Sequence, residues 1–203
     1  MAKLYFHYGA MGAGKTTSLL QVAYNYEERG MNVFLMKPAS DTKGDHEIIS
    51  RLGVGRSVDF EFYEDNNLFS TVSQRFFKVY KGNLSCVLVD EAQFLTKEQV
   101  DQLLETAIVL DIPVMCYGLK LDFRGRGFEG STRLLEVAQT LTELKTICHC
   151  GRKADFNVRY VNDTVVFDGE QQVIDDKDDV SYEAVCARHF MDLKRGIRRG
   201  KRK

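Results

Sequence analysis

Apolar residues along this chain fall into short runs separated by amphipathic stretches. Lys3–Tyr8, Val33–Met36, Ser85–Val89 and Pro113–Gly118 are apolar or aromatic almost throughout, as expected of strands buried on both faces of a parallel sheet. Val58–Tyr63 alternates Val, Phe and Phe with acids and predicts a further strand. Helical spacing fills the gaps. Leu19, Leu20, Ala23, Tyr24 and Tyr26 recur within Thr17–Arg29 before Gly30 closes the run, and Leu68, Val72, Phe76 and Val79 share one face of Leu68–Tyr80. Thr96-Lys97-Glu98-Gln99 has the form of a capping box that opens a helix to about Leu110, and Ser131–Ala138 predicts a shorter one. Lys37–Gly55 holds Pro38, Asp41, Gly44, Gly53 and Gly55 around a short predicted helix, Glu47–Leu52, and reads as a long connection of the kind that is often functional. Leu141–Ile147 leads out of this body. Beyond it, Phe156–Tyr160 and Thr164–Phe167 predict a hairpin, followed by the polar run Asp168–Ser181. Alternating strands and helices predict an α/β fold with a parallel sheet flanked by helices.

Composition narrows the classes. At 203 residues and 44% hydrophobic content the chain can bury a real core, as one large domain or a domain with a small appendage. No apolar run reaches the roughly 20 residues of a membrane span. The first residues run into a strand with no n-region or h-region of a signal peptide, so the expected location is the cytoplasm, with no membrane partner. Five cysteines, an odd number, suit a reducing compartment, where metal binding or core packing are their expected uses. The net charge of −1 hides an asymmetry, since Lys194–Lys203 holds seven of the 28 basic residues and no acid. The remaining body is acidic, which argues against a broad nucleic-acid footprint. The tail, residues 193–203, is expected to be disordered.

Two motifs add chemistry to this pattern. Gly9-Ala10-Met11-Gly12-Ala13-Gly14-Lys15-Thr16 has the spacing Gly-x4-Gly-Lys-Thr between a strand and a helix. There, glycines permit a tight turn whose N–H groups and following helix N-terminus converge on nucleotide phosphates, with Lys15 adding charge and Thr16 a Mg²⁺ ligand. This extends the fold expectation to a P-loop NTPase of the RecA-like kind. The fourth apolar run ends in Asp90-Glu91-Ala92-Gln93-Phe94; a carboxylate at that strand end would hold Mg²⁺ through water. Asp41-Thr42-Lys43 could approach the phosphates or be a solvated turn. Leu119–Phe128, with Phe123 and two arginines among glycines, suits an anionic phosphate and a flat base.

Cys148-His149-Cys150 and Cys186-Ala187-Arg188-His189 form two knuckles. Cys148, Cys150, Cys186 and His189 make a Cys3His set suited to tetrahedral, structural Zn²⁺, although His149 could replace one thiol. Cys86 and Cys116 lie inside apolar strands and read as packed thiols. The organisation expected is a nucleotide-binding body over 1–146, a small ribbon-like zinc lobe with a long loop over 147–192, and the basic tail.

Taken together, these motifs resemble the type II thymidine kinases over residues 3–190: the phosphate loop with Met11 in it, Asp90-Glu91-Ala92-Gln93-Phe94, Asp122-Phe123-Arg124-Gly125, and Cys-x-Cys with Cys-x-x-His. The resemblance implies ATP-dependent phosphorylation of thymidine at its 5′-hydroxyl, giving dTMP and ADP, with deoxyuridine an open second acceptor. It implies Glu91 as catalytic base and Mg²⁺ held through Thr16 and Asp90. ATP would be bound by residues 9–16, by Asp41, Thr42 and Lys43, and by Asp90, Glu91, Ala92 and Gln93. Met11, Phe94, Leu119, Phe123, Val173, Ile174 and Tyr182 would line the acceptor pocket, the last three from a lasso loop. A homotetramer is also implied. Two departures stand out: Lys43 where the family often has Arg, and Asp175-Asp176 where it usually has Gly-Gly. A nucleic-acid-dependent ATPase of the helicase type is the alternative reading of Asp-Glu-Ala-Gln, weakened by the chain's length and acidic body.

Overall fold

The computed structural model describes residues 1–41, 46–169, 171 and 180–197. Thr42, Lys43, Val173, Ile174, the Asp175-Asp176 pair and residues 198–203 of the tail lie outside them. Strand β1 (Leu4–Tyr8) leads through helix α1 (Lys15–Glu27) to β2 (Asn32–Pro38). A hairpin of β3 (Glu47–Ile49) and β4 (Gly55–Ser57) precedes β5 (Phe60–Phe62) and α2 (Leu68–Gln74). Then come β6 (Leu84–Val89), a 3₁₀ turn over Ala92–Phe94, α3 (Lys97–Val109), β7 (Val114–Gly118), α4 (Glu129–Val137) and β8 (Thr140–Glu143). Six strands form one sheet in the order β5-β2-β6-β7-β1-β8, and every pairing in it is parallel.

The apolar runs are continuous because successive side chains enter different cores. Phe34 and Met36 of β2 pack with Val87 and Val89 of β6 under α2, α3 and α4. Their neighbours Val33, Leu35, Cys86 and Leu88 pack on the other face against Leu19, Leu20 and Ala23 of α1. Thr96 and Gln99 form the predicted capping box of α3 in both directions.

The remaining chain is a second, smaller assembly. Ribbon β9 (Thr146–Ile147) with β10 (Lys153–Ala154) precedes an antiparallel sheet ordered β12-β11-β13, made of β11 (Phe156–Val161), β12 (Thr164–Val166) and β13 (Val180–Val185). Helix α5 (Ala187–Lys194) follows.

The structure corrects several sequence expectations. Glu47–Leu52 is no helix: Ile48 and Ile49 take the extended form β-branched residues favour, and Gly53, at φ +81°, closes a turn through its N–H to Ser50 O. The first part of the Leu141–Ile147 exit belongs to the sixth strand, Thr140–Glu143, partly exposed at the sheet edge and so without a continuous apolar signature. The helix begun at Leu68 loosens into a π-turn over Arg75–Val79. The end of the polar run Asp168–Ser181 enters β13, whose pairing with β11 supplies order that its side chains do not advertise.

Candidate active site

The Gly9–Thr17 loop joins β1 to α1. Gly9 is required by space, because a Cβ there would lie 2.3 Å from Leu144 O. Gly14 is required by conformation: it is the N-cap of α1 at φ +76°, in the left-handed region. Side chains cap two other helices, Asn67 on α2 and Thr96 on α3, but none caps α1. Its first N–H groups are therefore left for an anion. Lys15 is buried, and its Nζ donates to Ala10 O at 3.1 Å and Gly9 O at 3.5 Å. Burial lowers its proton affinity; the charges of Glu91 and Asp90 act the other way, and Arg51 adds to the lowering.

Strand β7 separates β1 from β6 in the sheet, so the two motifs meet through side chains. Thr16 Oγ1 donates to Asp90 Oδ2 at 3.2 Å. Asp90 is 4% exposed, and its Oδ1 has no hydrogen-bond partner among the described residues. Burial, and after it the adjacent Glu91 charge, push its carboxyl up to about 7. A buried carboxylate oxygen without a donor is costly, and a divalent cation would both satisfy it and favour its ionised form. Glu91 itself has φ 48° and ψ 39°, a left-handed conformation that a non-glycine residue adopts only when its surroundings enforce it. Gln93 helps to do so. Its amide is fixed by Leu119 N–H donating to Oε1 at 3.0 Å, and its Nε2 donates to Glu91 Oε2. Both ends of its amide are thus engaged by protein.

Past β7, the Gly-rich loop is built around Asp122. Its Oδ1 accepts the N–H groups of Arg124 and Arg126 at 2.9 and 2.8 Å, and its Oδ2 takes the Arg124 guanidinium at 2.8 Å. Arg124 also donates to Gly169 O at 3.1 Å, so it ties the loop together. Phe94 meets Phe128 edge-on at 5.8 Å. It also walls a cleft of about 460 Å³ with Pro38, Ser40, Phe62, Tyr63, Glu64 and Asp65. Phe123 is buried, with the Arg159 guanidinium 3.7 Å from its ring centre. Tyr182 pairs with Arg159 across β13 and β11. Asp41 follows β2, its N–H donating to Pro38 O at 3.0 Å.

Two residues, Asn157 and Arg159, escaped sequence reasoning. Asn157, 4% exposed on β11, accepts the Met11 N–H at 2.8 Å and so joins the second assembly to the Gly-rich loop. Arg159 covers Phe123. Asn157 and Arg159 sit in a hairpin with no motif around them, and only the pairing of β11 with β12 and β13 brings them to the body.

The Cys/His knuckles converge. One ligand atom each from Cys148, Cys150, Cys186 and His189 lies within 4.8 Å of all the others. Cys150 Sγ is 3.8 Å from Cys186 Sγ, and His189 Nδ1 is 3.6 Å from Cys186 Sγ. Tetrahedral ligands with metal–sulfur bonds of about 2.3 Å leave sulfurs about 3.8 Å apart, so the set fits one metal ion. His149 stands outside it, stacked on the His189 ring and with Nδ1 2.9 Å from Glu183 Oε1. Cys86 and Cys116 are fully buried core thiols, and burial pushes Cys86 up to about 12, which leaves them unreactive.

Comparison with known proteins agrees with these features. A family model described as thymidine kinase matches residues 2–190. The thymidine kinase of Shewanella oneidensis is 48% identical over 195 residues, covering 95% of this chain and 98% of that one. Those of Rhodopirellula baltica and Legionella pneumophila (strain Paris) are each 50% identical, over 95% and 94% of this chain and 89% and 90% of theirs. Among solved structures, the Pif1 helicase from Candida albicans aligns over 73% of this chain and 37% of its own at 17% identity, with a TM-score of 0.45, too slight a likeness to bear on activity. With the family model spanning nearly the whole chain and relatives of about half identity along their length, the chain belongs to the thymidine kinase family.

Proposed function

We propose that this protein transfers the γ-phosphoryl group of ATP to the 5′-hydroxyl of thymidine, giving dTMP and ADP. The observation that carries the reading beyond family membership is the contact of Thr16 with Asp90, whose second oxygen is buried without a partner directly beside Glu91. Residues 9–16 form the phosphate loop: the uncapped α1 N-terminus and Lys15 hold the phosphate oxygens. By the family resemblance, Asp41, Thr42 and Lys43 also belong to the ATP-binding set. Thr16 and Asp90 would hold Mg²⁺, which supplies charge neutralisation at the β- and γ-oxygens when bound. Glu91 takes the 5′-hydroxyl proton as that oxygen bonds to the γ-phosphorus and the bond to the β-γ bridging oxygen breaks, so the electron pair leaves on ADP. Ala92 and Gln93 belong to the ATP-binding set by the family resemblance, and the Gln93 amide also donates to the Glu91 carboxylate. Met11, Phe94, Leu119 and Phe123, with Val173 and Ile174 from the lasso and Tyr182 from β13, enclose the base and exclude water.

Cys148, Cys150, Cys186 and His189 would hold a structural Zn²⁺, since four protein ligands leave no open position for chemistry. Residues 1–146 are then the catalytic body, 147–192 the zinc lobe and 193–203 the basic tail. Among the described residues no helix is long and apolar enough to cross a membrane. A cytoplasmic homotetramer follows from the family resemblance alone.

The deciding assay gives purified protein labelled ATP and a panel of deoxynucleosides, with and without single-stranded DNA. Thymidine is expected to be labelled. ATP hydrolysis that DNA stimulates, with no labelled nucleoside, would instead establish the helicase-type reading. Glu91→Gln is expected to bind ATP normally and to lose transfer by roughly 10²–10⁴-fold; near-normal turnover would remove Glu91 as the base.

A further inference from the structure

The β3–β4 hairpin occupies the connection between β2 and β5, and its turn carries Arg51. Ser50 N–H donates to Val54 O at 2.8 Å and Gly53 N–H to Ser50 O at 2.9 Å, so the turn is closed on its own backbone and Arg51 projects from it. The hairpin is anchored elsewhere: Ile48 is buried in the core under α1, and Arg56 binds Glu27 and Asp59 at 2.8 and 3.2 Å. Arg51 plays no part in that anchoring. It is exposed, and among the described residues it makes no hydrogen bond or ion pair.

Its guanidinium nevertheless has a definite place. A Cβ built on Gly12 would meet Arg51 Nη1 at 3.5 Å and, among the described residues, no other atom within 4 Å. Arg51 thus reaches the tip of the Gly-rich loop, where the absence of a side chain at Gly12 leaves it room. It is close enough to Lys15 for the two cations to repel, which lowers the lysine's proton affinity. Two cations converging on one loop favour the arrival of an anion there. They also differ in kind. Lys15 offers a point charge, whereas a guanidinium presents a planar fork that matches two phosphate oxygens.

We propose that Arg51 is a further catalytic residue, a phosphate-contacting guanidinium that closes over Gly12 onto the terminal phosphates of ATP and stabilises the charge that develops during transfer. The proposal rests on the phosphoryl-transfer reading. It treats the hairpin as an arm that delivers a cation to the loop. An exposed arginine with no such role would be an ordinary solvated charge, and substitution separates the two.

The experiment compares wild type, Arg51→Ala and Arg51→Lys. Affinity for a non-hydrolysable ATP analogue with Mg²⁺ is measured by calorimetry, and thymidine affinity, melting temperature and steady-state transfer are measured alongside. Arg51→Ala is expected to weaken the analogue about tenfold and to lower kcat by roughly 10²-fold, with thymidine affinity and melting temperature unchanged. Arg51→Lys is expected to recover analogue affinity while kcat stays low, because a point charge replaces the fork. Analogue affinity and kcat both within about twofold of wild type in Arg51→Ala would overturn the proposal, since even one lost oxyanion donor costs more. So would an equal loss of thymidine affinity, which would mark a general hairpin defect. If wild type labels no thymidine, the acceptor reading fails separately, and the analogue arm still decides the contact of Arg51 with phosphate.

Discussion

The body and the metal lobe solve the same problem, holding functional side chains still, by different physics. In the body the sheet is covered on both faces, with 19 buried apolar residues in one core and nine in the other among the described residues. The lobe core has six, and two of them, Cys148 and Cys186, belong to the Cys/His cluster that could hold a metal ion. Hydrophobic burial can hold the first unaided, whereas a core as small as the second needs a staple. The body carries the residues assigned here to phosphoryl chemistry, and the lobe reaches across to them through Asn157 and Arg159. The metal's influence on activity should therefore be indirect, passed through backbone and packing to Met11 and Phe123.

Removing the metal should separate the two regions most widely. Metal binding to structural sites of this type contributes about 10–16 kcal/mol of folding free energy, far more than six buried residues can replace. Prolonged chelation, or Cys186→Ser, is expected to abolish thymidine phosphorylation while the body keeps its cooperative thermal transition. Hydrogen exchange should show β11 and β13 losing protection while β2 and β6 stay protected. Equal loss of protection in all four strands would show that body and lobe fold as one unit and would break the comparison.

A substitution in the larger core should have the converse pattern. Leu103 is fully buried on α3 beneath the sheet. Leu103→Ala is expected to destabilise the body by about 2–5 kcal/mol in urea denaturation, with the metal content of the folded protein unchanged. Metal loss in step with destabilisation would again point to one cooperative unit.

The two regions were also unequally legible in the sequence. The body's strands announced themselves because burial on both faces makes nearly every residue apolar, and the Gly-Lys-Thr and Asp-Glu motifs mark the ends of two strands whose side chains, Thr16 and Asp90, meet past the intervening β7. Thr140–Glu143 escaped because an edge strand keeps polar residues, and the Glu47–Leu52 segment because two isoleucines among polar residues satisfy either period. The Cys and His spacing suggested a cluster, but sequence alone left His149 open as a ligand; its contact with Glu183, on a strand 34 residues further on, appears only in the fold. Arg124 makes a related point. Composition shows that a loop contains a cation, while only the fold shows that Asp122 has already engaged it.

Asn157 tests the link between the regions. Its Oδ1 is the acceptor for the Met11 N–H, with its amide nitrogen 3.5 Å from Leu121 O. Asn157→Leu should leave a part-buried N–H without its partner, at a cost of about 1–3 kcal/mol. If that cost falls on the phosphate loop, kcat/KM for ATP should drop about tenfold, 1.4 kcal/mol being a factor of ten, and the metal content should be unchanged. Unchanged kinetics alongside a lower melting temperature would make Asn157 a packing residue of the lobe alone.

The smallest effect concerns acid, where the two regions should again respond for different reasons. In the lobe, proton competition for the thiolates and imidazole releases the metal as pH falls. In the body, His7 on β1 stacks on Tyr117 at 4.6 Å, and its Nε2 has no hydrogen-bond partner among the described residues. Burial lowers its pKa from the ordinary 6.5. Below that value the unfolded chain takes up a proton that the folded chain still refuses, so stability falls with pH until the depressed folded value is passed. His7→Phe keeps the stacked ring and removes the titration. The body transition of the variant, followed by urea denaturation from pH 8 down to about pH 5, should be less acid-sensitive than wild type, while metal release keeps the same pH midpoint in both. An identical acid dependence of the body transition in the two proteins would show that His7 does not contribute to it, and the acid response of the whole molecule would then trace to its carboxylates and to the metal lobe.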